Sequence, residues 1–268
     1  MYLCSNLLHY FMMTISTSTR KLITSLKQAK HRKDQGLFVV EGTRAVLDTV
    51  PFFDVEYLVA TSRWIEEYGM GLPGGLPAAM LARTDDMERM SSLTTPQGVL
   101  AVCRMPHRDS FAPVSADELV IALDKVQDPG NLGTIMRVAD WFGVTRILAS
   151  EDTVDVYNPK VVQATMGAIA RVGVCYCDLR AVLMEAKKDG VAVYGTFLNG
   201  ENIYSTSLTA GGIVVMGNEG NGISDEIAAV VGNRIKIPAF PPERATVESL
   251  NVSMATGITL AEFRRRAG

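Results

Sequence analysis

The sequence predicts an α/β protein with two domains, a small α/β sandwich followed by a mostly parallel sheet flanked by helices. A length of 268 residues suits one large domain or two ordinary ones. Short apolar runs of strand length alternate with helix-forming patterns along most of the chain. The stretch 105–117 has two prolines and no periodicity, which predicts a linker. In chain order we expect an extension over 1–19, a first domain over 20–104, the linker, and a second domain over 118–268.

The N-terminal extension is apolar, but it lacks the basic start and the small-residue cleavage site of a signal peptide. No run reaches the roughly 18 apolar residues that a membrane helix needs. We therefore expect a cytoplasmic protein without a membrane partner. Met13 is an alternative start, and otherwise the residues before it form a short frayed terminus.

The first domain begins with a basic amphipathic segment. Six basic residues and no acidic one lie between Arg20 and Lys33, while Leu22, Ile23 and Leu26 recur at helical spacing. Such a face is either simply solvated or suited to phosphate groups. The remaining elements alternate as expected for a sandwich. Strands are predicted over 37–40, 55–60, 79–82 and 98–103, with helices over 44–50, 63–68 and 85–93 and a loop over 69–77.

The second domain shows stronger alternation, which predicts a doubly wound and mostly parallel sheet. Asn158 and Pro159 are typical of a helix start, and Gly190 is typical of a helix end. Strands are predicted over 119–123, 146–149, 172–177, 191–197, 213–216 and 234–237. Helices are predicted over 132–142, 158–169, 178–188, 224–231 and 249–266.

Composition excludes several classes of protein. The chain is 47% hydrophobic, which is enough apolar surface to exclude disorder as the main state. The net charge of −3 excludes a uniformly basic nucleic-acid coat, although a local basic patch remains open. Four cysteines do not make a disulfide scaffold, and three histidines make a metal centre unexpected.

Candidate chemistry lies at three strand exits, because the carboxyl ends of parallel strands form the usual ligand site. After the strand 119–123, Asn131 stands at the expected N-cap of a helix and Arg137 follows six residues later. For the glycines there, an ordinary turn is the simpler interpretation.

The second exit, 214–224, holds three glycines around Asn218 and Glu219, and glycines let a ligand approach backbone N–H groups. Its spacing fits neither a phosphate loop nor a dinucleotide fingerprint. Glu219 could also simply compensate a helix dipole. At the third exit, Ser249 could be only an N-cap, whereas Asn251 has no evident structural duty.

These three segments resemble, in order and spacing, the signature motifs of the SpoU/TrmH RNA 2′-O-ribose methyltransferases of the SPOUT superfamily. The first is similar to N-x-G-x-x-x-R, the second to G-N-E-G-x-G-[IL]-S and the third to I-P…S-L-N-V-[SA]. The segments LKQAKHRKDQGLFVVEGTR and TTPQGVLAV resemble the family's L30e-like substrate-binding domain. The chain departs from the family in the insert FPPERATV before Ser249.

The resemblance implies a trefoil knot in the C-terminal domain, a homodimer, bound S-adenosylmethionine and an RNA substrate, with ribosomal RNA favoured over transfer RNA. No metal is implied. The implied catalytic residues are Asn131, Arg137, Glu219, Ser249 and Asn251. The implied cofactor-binding residues are Thr196, Gly217, Ile237 and Leu250. The expected RNA-binding residues are Lys21, Lys27, Lys30, Arg32, Lys33 and Arg44.

Methylating a ribose 2′-OH requires a positioned hydroxyl that loses its proton as the new bond forms. The family's proposed base is the arginine of the first motif, here Arg137, but an isolated guanidinium stays protonated. We therefore expect Arg137 to grip phosphate and orient the hydroxyl, with Glu219 orienting Arg137 or the ribose.

Two other functions compete with this one. A catalytically silent RNA-binding module with the same fold is disfavoured because the five candidate catalytic residues are present together. An unrelated nucleotide-binding enzyme is disfavoured because the phosphate-loop and dinucleotide spacings are absent.

Overall fold

The structure, a computed structural model, describes residues 13–69, 72, 78–106, 112–241 and 249–267. They fall into two compact units. The first unit contains the described residues up to Pro106 together with Tyr157–Ala170. The second contains those from Ala112 to Val156 and from Arg171 onward.

The first unit is a four-stranded sheet with helices. Its strands lie in the order β1-β4-β2-β3, and all pairs are antiparallel except β2 with β3. Its strands are β1 (Leu37–Glu41), β2 (Val55–Ala60), β3 (Met80–Leu81) and β4 (Val99–Arg104). Its helices are α1 (Thr17–Ser25), α2 (Ala29–Gln35), α3 (Thr43–Thr49), α4 (Ser62–Tyr68), α5 (Thr84–Met90) and α7 (Pro159–Ala164), with short 3-10 turns at Val50–Phe52 and Ala168–Ala170.

The basic segment forms two helices instead of one. The break lies where the backbone of Gln28 turns extended before α2. Ile23 and Leu26 are fully buried, as their spacing predicts. The helix α1 begins at Thr17 because the Ser16 side chain caps it, accepting from the N–H of Thr19 at 3.1 Å. Regular structure therefore starts inside the stretch expected to be an extension.

The helix α7 lies far along the chain from the rest of the first unit but packs against its strand β1. The predicted cap is confirmed, since the Asn158 side chain accepts from the N–H of Lys160 at 2.9 Å. The helix ends at Ala164, earlier than predicted. Met166 and Gly167 have φ of 49° and 89°, and this left-handed backbone terminates the helix.

The second unit confirms the predicted parallel sheet flanked by helices. Six parallel strands lie in the order β10-β8-β9-β5-β6-β7. The strands are β5 (Leu119–Leu123), β6 (Arg146–Ala149), β7 (Gly173–Tyr176), β8 (Val193–Asn202), β9 (Gly212–Met216) and β10 (Asn233–Lys236). The helices are α6 (Pro129–Trp141), α8 (Leu179–Lys188), α9 (Asp225–Ala228) and α10 (Val252–Ala267).

The strand β8 extends beyond its predicted end because it contains a wide bulge. Gly195 pairs with Arg234, but the next pair joins Glu201 to Ile235, so Thr196–Gly200 leaves the regular register. A Cβ on Gly200 would lie 2.5 Å from the carbonyl carbon of Ile235, so this close approach requires glycine. The bulge lies at the carboxyl end of the sheet.

The C-terminal helix α10 is held in place by its arginines. Arg264 Nε donates to the carbonyl of Phe142 at 2.7 Å, which completes the C-terminus of α6. Arg266 donates to the carbonyl of Ile203 at 2.8 Å. Both Arg265 and Arg266 also pair with Glu262, whose side chain is only 5% exposed. This basic run is therefore engaged in structural contacts.

We predict that Glu262→Gln lowers stability at neutral pH but not in acid. Hydrogen bonds from Arg265 lower the pKa of Glu262 to about 2, against the opposing effect of burial and with further help from Arg266. A carboxylate whose folded pKa is depressed stabilises the protein above its unfolded pKa, roughly 4.3, and this contribution disappears as pH falls towards 2. Thermal melts between pH 7 and 3 should show the gap between wild type and variant closing. The exposed Glu185→Gln is the control, and a gap that persists in acid would contradict the prediction.

Candidate active site

A cavity of about 450 Å³ opens at the carboxyl ends of β8, β9 and β10. Its walls come from three segments: the β8 bulge, the turn after β9 and the chain that follows β10. The four residues expected to bind the cofactor all line it, namely Thr196, Gly217, Ile237 and Leu250. The predicted catalytic residues Glu219 and Ser249 line the same cavity.

The turn after β9, residues 217–224, is a tight closed loop that we call the glycine loop. Asn218 and Gly222 exchange two backbone hydrogen bonds of 2.9 Å. A Cβ on Gly217 would lie 2.2 Å from the carbonyl carbon of Gly222, so no other residue fits there. The glycines thus serve loop closure as well as access for a ligand.

The exit of β5 fixes the glycine loop at both ends. The Asp124 carboxylate, 1% exposed, accepts from the N–H of Ser224 at 2.7 Å. At the other end, Asn218 Nδ2 donates to the carbonyl of Lys125 at 2.7 Å. Sequence reasoning missed Asp124 and Asn218 as positioning residues. A polar residue directly after a buried strand was the available signal for Asp124.

Glu219 is held by a ring of donors. Its carboxylate accepts from Asn131 Nδ2 at 3.0 Å and from the N–H groups of Asp128 at 3.2 Å and Gln127 at 3.4 Å. Burial raises the pKa of Glu219, but these hydrogen bonds and that from its own N–H outweigh burial, so the pKa is lowered. The group is therefore a fixed anion at neutral pH, suited to orienting a donor.

The two asparagines join this carboxylate in a chain. Asn251 Nδ2 donates to Asn131 Oδ1 at 2.9 Å. Asn251 Oδ1 accepts from the N–H of Ser253 at 3.0 Å, so Asn251 caps α10, a structural duty that the sequence did not reveal. The predicted N-cap at Asn131 is wrong, because α6 starts earlier and Asp128 caps it by accepting from the N–H of Asn131 at 2.8 Å.

The structure does not bring Arg137 into this chain. Arg137 is exposed on α6, six residues after Asn131, which is about 9 Å along the helix axis. Within the described residues, no ion pair joins Arg137 to Glu219, whose carboxylate is occupied by neutral donors. The contacts of Glu219 therefore give no support to the expectation that it orients Arg137.

The basic residues of the first unit differ in availability. Lys21, Lys30 and Lys33 are exposed, whereas Lys27 Nζ donates to the carbonyl of Ser91 at 2.7 Å. Arg44 is 84% exposed and lies 3.4 Å from an Asp48 carboxylate oxygen.

The expectation that Arg32 binds RNA is wrong. It is only 2% exposed, and its guanidinium donates to the carbonyls of Leu26 and Lys27 at 2.9 Å each. This side chain closes the turn between α1 and α2 and is not offered to RNA.

Among the described residues, no group of three or more His, Cys, Asp or Glu side chains is arranged to hold a metal ion. Across the same part of the chain, no helix has both the length and the apolar character needed to cross a bilayer.

Fold and site together define a parallel α/β protein that receives a small ligand at the carboxyl ends of its strands. Residues 118–261 match the SpoU rRNA Methylase family, and residues 19–101 match the MRM3-like substrate binding domain. The chain belongs to the SpoU rRNA methylase family, which confirms the resemblance seen in its motifs.

Individual relatives agree with this assignment. The chain is 30% identical over 242 residues to the 23S rRNA (guanosine(2553)-2′-O)-methyltransferase RlmP of Bacillus subtilis, covering 89% of this chain and 93% of that protein. A TrmH-family protein from Porphyromonas gingivalis is 39% identical with a TM-score of 0.84, covering 94% and 99%. An AdoMet-bound rRNA methyltransferase from Sinorhizobium meliloti is 28% identical with a TM-score of 0.77, covering 95% and 97%.

Proposed function

We propose that this protein transfers a methyl group from S-adenosylmethionine to a ribose 2′-OH in RNA, with ribosomal RNA favoured over transfer RNA as substrate. The observation that carries the proposal is the hydrogen-bonded chain of Glu219, Asn131 and Asn251 beside a cavity bounded by the glycine loop. Ribosomal RNA is favoured because RlmP acts on 23S rRNA, as its name states.

The cavity suits the cofactor in size and chemistry. Its lining mixes aliphatic groups such as Ile237 and Leu250, which can stack on an adenine, with backbone groups of the glycine loop that can bond its edges. S-adenosylmethionine supplies an electrophilic methyl group when bound. Thr196, Gly217, Ile237 and Leu250 are the residues proposed to hold it.

The chain's own residues then position the ribose. A guanidinium is a poor base and a good bidentate partner for phosphate, so we assign Arg137 to gripping a phosphate and orienting the hydroxyl. Glu219 provides a fixed negative charge, while Asn131, Ser249 and Asn251 provide neutral hydrogen bonds. The proton of the 2′-OH leaves to phosphate or water. Positioning of this kind can contribute about 7–11 kcal/mol to the barrier reduction.

The decisive experiment is radiolabelled methyl transfer from S-adenosylmethionine to bulk RNA by the purified protein, followed by mapping of 2′-O-methyl sites in a deletion strain. Label in a ribosomal RNA ribose is expected, and a missing site in the deletion strain identifies the nucleotide. Calorimetry should show cofactor binding that survives a chelator. Cofactor and RNA binding without transfer would favour the catalytically silent module.

We further propose that RNA is captured by the exposed lysines of the first unit, Lys21, Lys30 and Lys33. An acidic protein needs a local cationic surface to attract phosphates. Replacing all three with Gln is expected to weaken RNA binding and flatten its salt dependence, while the affinity for S-adenosylmethionine stays unchanged.

The matched control for that triple variant is Lys27→Gln, because Lys27 is engaged with the Ser91 carbonyl. It should alter stability more than the salt dependence. If the salt dependence of RNA binding is unchanged in the triple variant, these lysines do not bind RNA and form only a solvated helix face.

A homodimer, a trefoil knot around the cofactor cavity and a cytoplasmic location complete the proposal, as family membership suggests. Apolar side chains on α6 and α10 support the dimer. Trp141 is 86% exposed and Met254 is 62% exposed, although the two helices pack together. Aromatic residues and methionine are enriched at protein–protein interfaces relative to the rest of the surface.

We predict that Trp141→Arg weakens the dimer, because a charge would replace buried aromatic area at the proposed interface. Light scattering at micromolar concentration should give a dimer for the wild type and a smaller mass for the variant. The control is Phe52→Arg, an exposed aromatic residue of the first unit at 57%. A monomeric wild type would refute the dimer.

A further inference from the structure

Lys125 occupies an unusual backbone conformation at the exit of β5. Its φ is 58°, and only one other non-glycine residue in the described part of the chain, Met166, has a positive φ. Left-handed backbone brings Cβ close to the following carbonyl and favours glycine. A lysine here therefore destabilises the fold relative to glycine at the same backbone geometry.

The backbone of Lys125 is held from both sides. Its N–H donates to Ser150 Oγ at 2.9 Å, and its carbonyl accepts from Asn218 Nδ2 at 2.7 Å. Neither bond uses the side chain, so the geometry of the glycine loop depends on the backbone of residue 125 and not on lysine. Strained residues that persist in this way are concentrated at functional sites.

The Lys125 side chain gains little from the fold. It is 48% exposed, and its nearest carboxylate oxygen belongs to Asp152 at 4.0 Å, which is 67% exposed itself. An exposed pair at this distance contributes almost nothing to stability. The lysine thus has a structural cost that its own contacts do not offset.

The segments around the site are rich in negative charge, which indicates a role for the Lys125 ammonium. The segments that hold the hydrogen-bonded chain and the glycine loop, 124–131, 217–224 and 249–253, carry the carboxylates of Asp124, Asp128 and Glu219. Lys125 is the one cation in these segments, while Lys236 lines the cofactor cavity from the end of β10. A polyanionic substrate that approaches such a site needs a positive group near the entrance.

We propose that Lys125 binds a phosphate of the RNA substrate beside the reacting ribose and so positions it for methylation. The inference rests on the proposed function, because it presumes an RNA substrate. The other anion that could pair with this ammonium is the carboxylate of the cofactor, and the test separates the two.

The test compares Lys125→Gly with Met166→Gly, which makes the same backbone change at the other left-handed residue. Glycine removes the local strain but increases the entropy of the unfolded chain, so both variants should shift Tm by similar small amounts. Only Lys125→Gly should raise KM for RNA, by about tenfold, and reduce the slope of log KM against log salt by about 0.7, as for one lost contact to a single strand. The Kd for S-adenosylmethionine should stay the same, and Lys125→Arg should restore most of the RNA affinity.

Three results would overturn the proposal: a KM for RNA within twofold of wild type at every salt concentration, an increase in KM matched by Met166→Gly, or a selective increase in the Kd for S-adenosylmethionine. If Lys125→Gly is unstable, Lys125→Asn repeats the test, because asparagine also tolerates left-handed backbone. A wild-type protein that methylates no RNA would refute the proposed function itself. An active wild type with an unaffected Lys125→Gly refutes this inference alone.

Discussion

Arg137→Ala is expected to lower the rate of RNA methylation by about 10²-fold or more without a matching loss of stability or cofactor affinity. The structure gives two reasons for this separation. Arg137 is exposed, and in the part of the chain that the structure describes its guanidinium forms no ion pair with Glu219. The cavity for the cofactor is lined by other residues, so its affinity should be preserved.

The planar guanidinium also predicts the behaviour of a conservative variant at position 137. Arg137→Lys keeps the charge but loses the planar fork that binds phosphate through two bonds, so it should restore little activity. Arg180→Ala is the control, because Arg180 is half exposed and its nearest carboxylate is 3.9 Å away. A folded Arg137→Ala that binds cofactor and methylates at a near wild-type rate would refute the role.

Asn131→Asp is expected to lower the methylation rate by a similar factor, because it adds a negative charge to the site. The wild-type Nδ2 donates to Glu219 at 3.0 Å, and an isosteric carboxylate would place two negative charges at that distance. Like charges so close cannot both remain ionised without cost, so the pKa of the pair should rise and the fixed anion should be lost. The kcat should fall by about 10²-fold, while the circular dichroism spectrum stays native.

The pH profile distinguishes this electrostatic effect from a packing defect. In the wild type the pKa of Glu219 lies below its usual range, so its carboxylate produces no acid limb between about pH 6 and 9. The Asn131→Asp variant should show an acid limb in this range, because its activity should change as Glu219 and the introduced carboxylate titrate together. Asn158→Asp is the isosteric control, since the Asn158 side chain accepts from the N–H of Lys160 and a carboxylate can accept there too. A pH-independent loss in Asn131→Asp would point to packing instead.

The sequence was most informative where local chemistry determines structure. Alternating apolar runs predicted nearly every strand, and Asn158 was recognised as a cap because its side chain bonds within its own turn. The same logic failed at Asn131, because Asp128 precedes it and is an equally good cap followed by proline. Two candidates lay within one turn, and only the structure separates them.

The remaining differences depend on contacts between distant segments. By sequence Arg32 resembles the neighbouring exposed cations, and its burial follows from the carbonyls of Leu26 and Lys27 in the turn after α1. Asn251 meets Asn131 across 120 positions of sequence, and Asp124 meets Ser224 across 100. Such pairs produce no periodic pattern in the sequence. The motif spacing therefore predicted that these segments belong to the site, but not which side chains bond to each other.

The segment Tyr157–Ala170 affects how the protein can be divided. It is counted with the first unit, although it lies between β6 and β7 of the second. The chain therefore crosses between units three times, and cutting the linker leaves a first unit whose strand β1 lacks its helix α7. Recombination or truncation at residues 105–117 would transfer an incomplete module. Exchange of substrate-binding modules between relatives must accordingly carry this internal segment along or rebuild the surface that it covers.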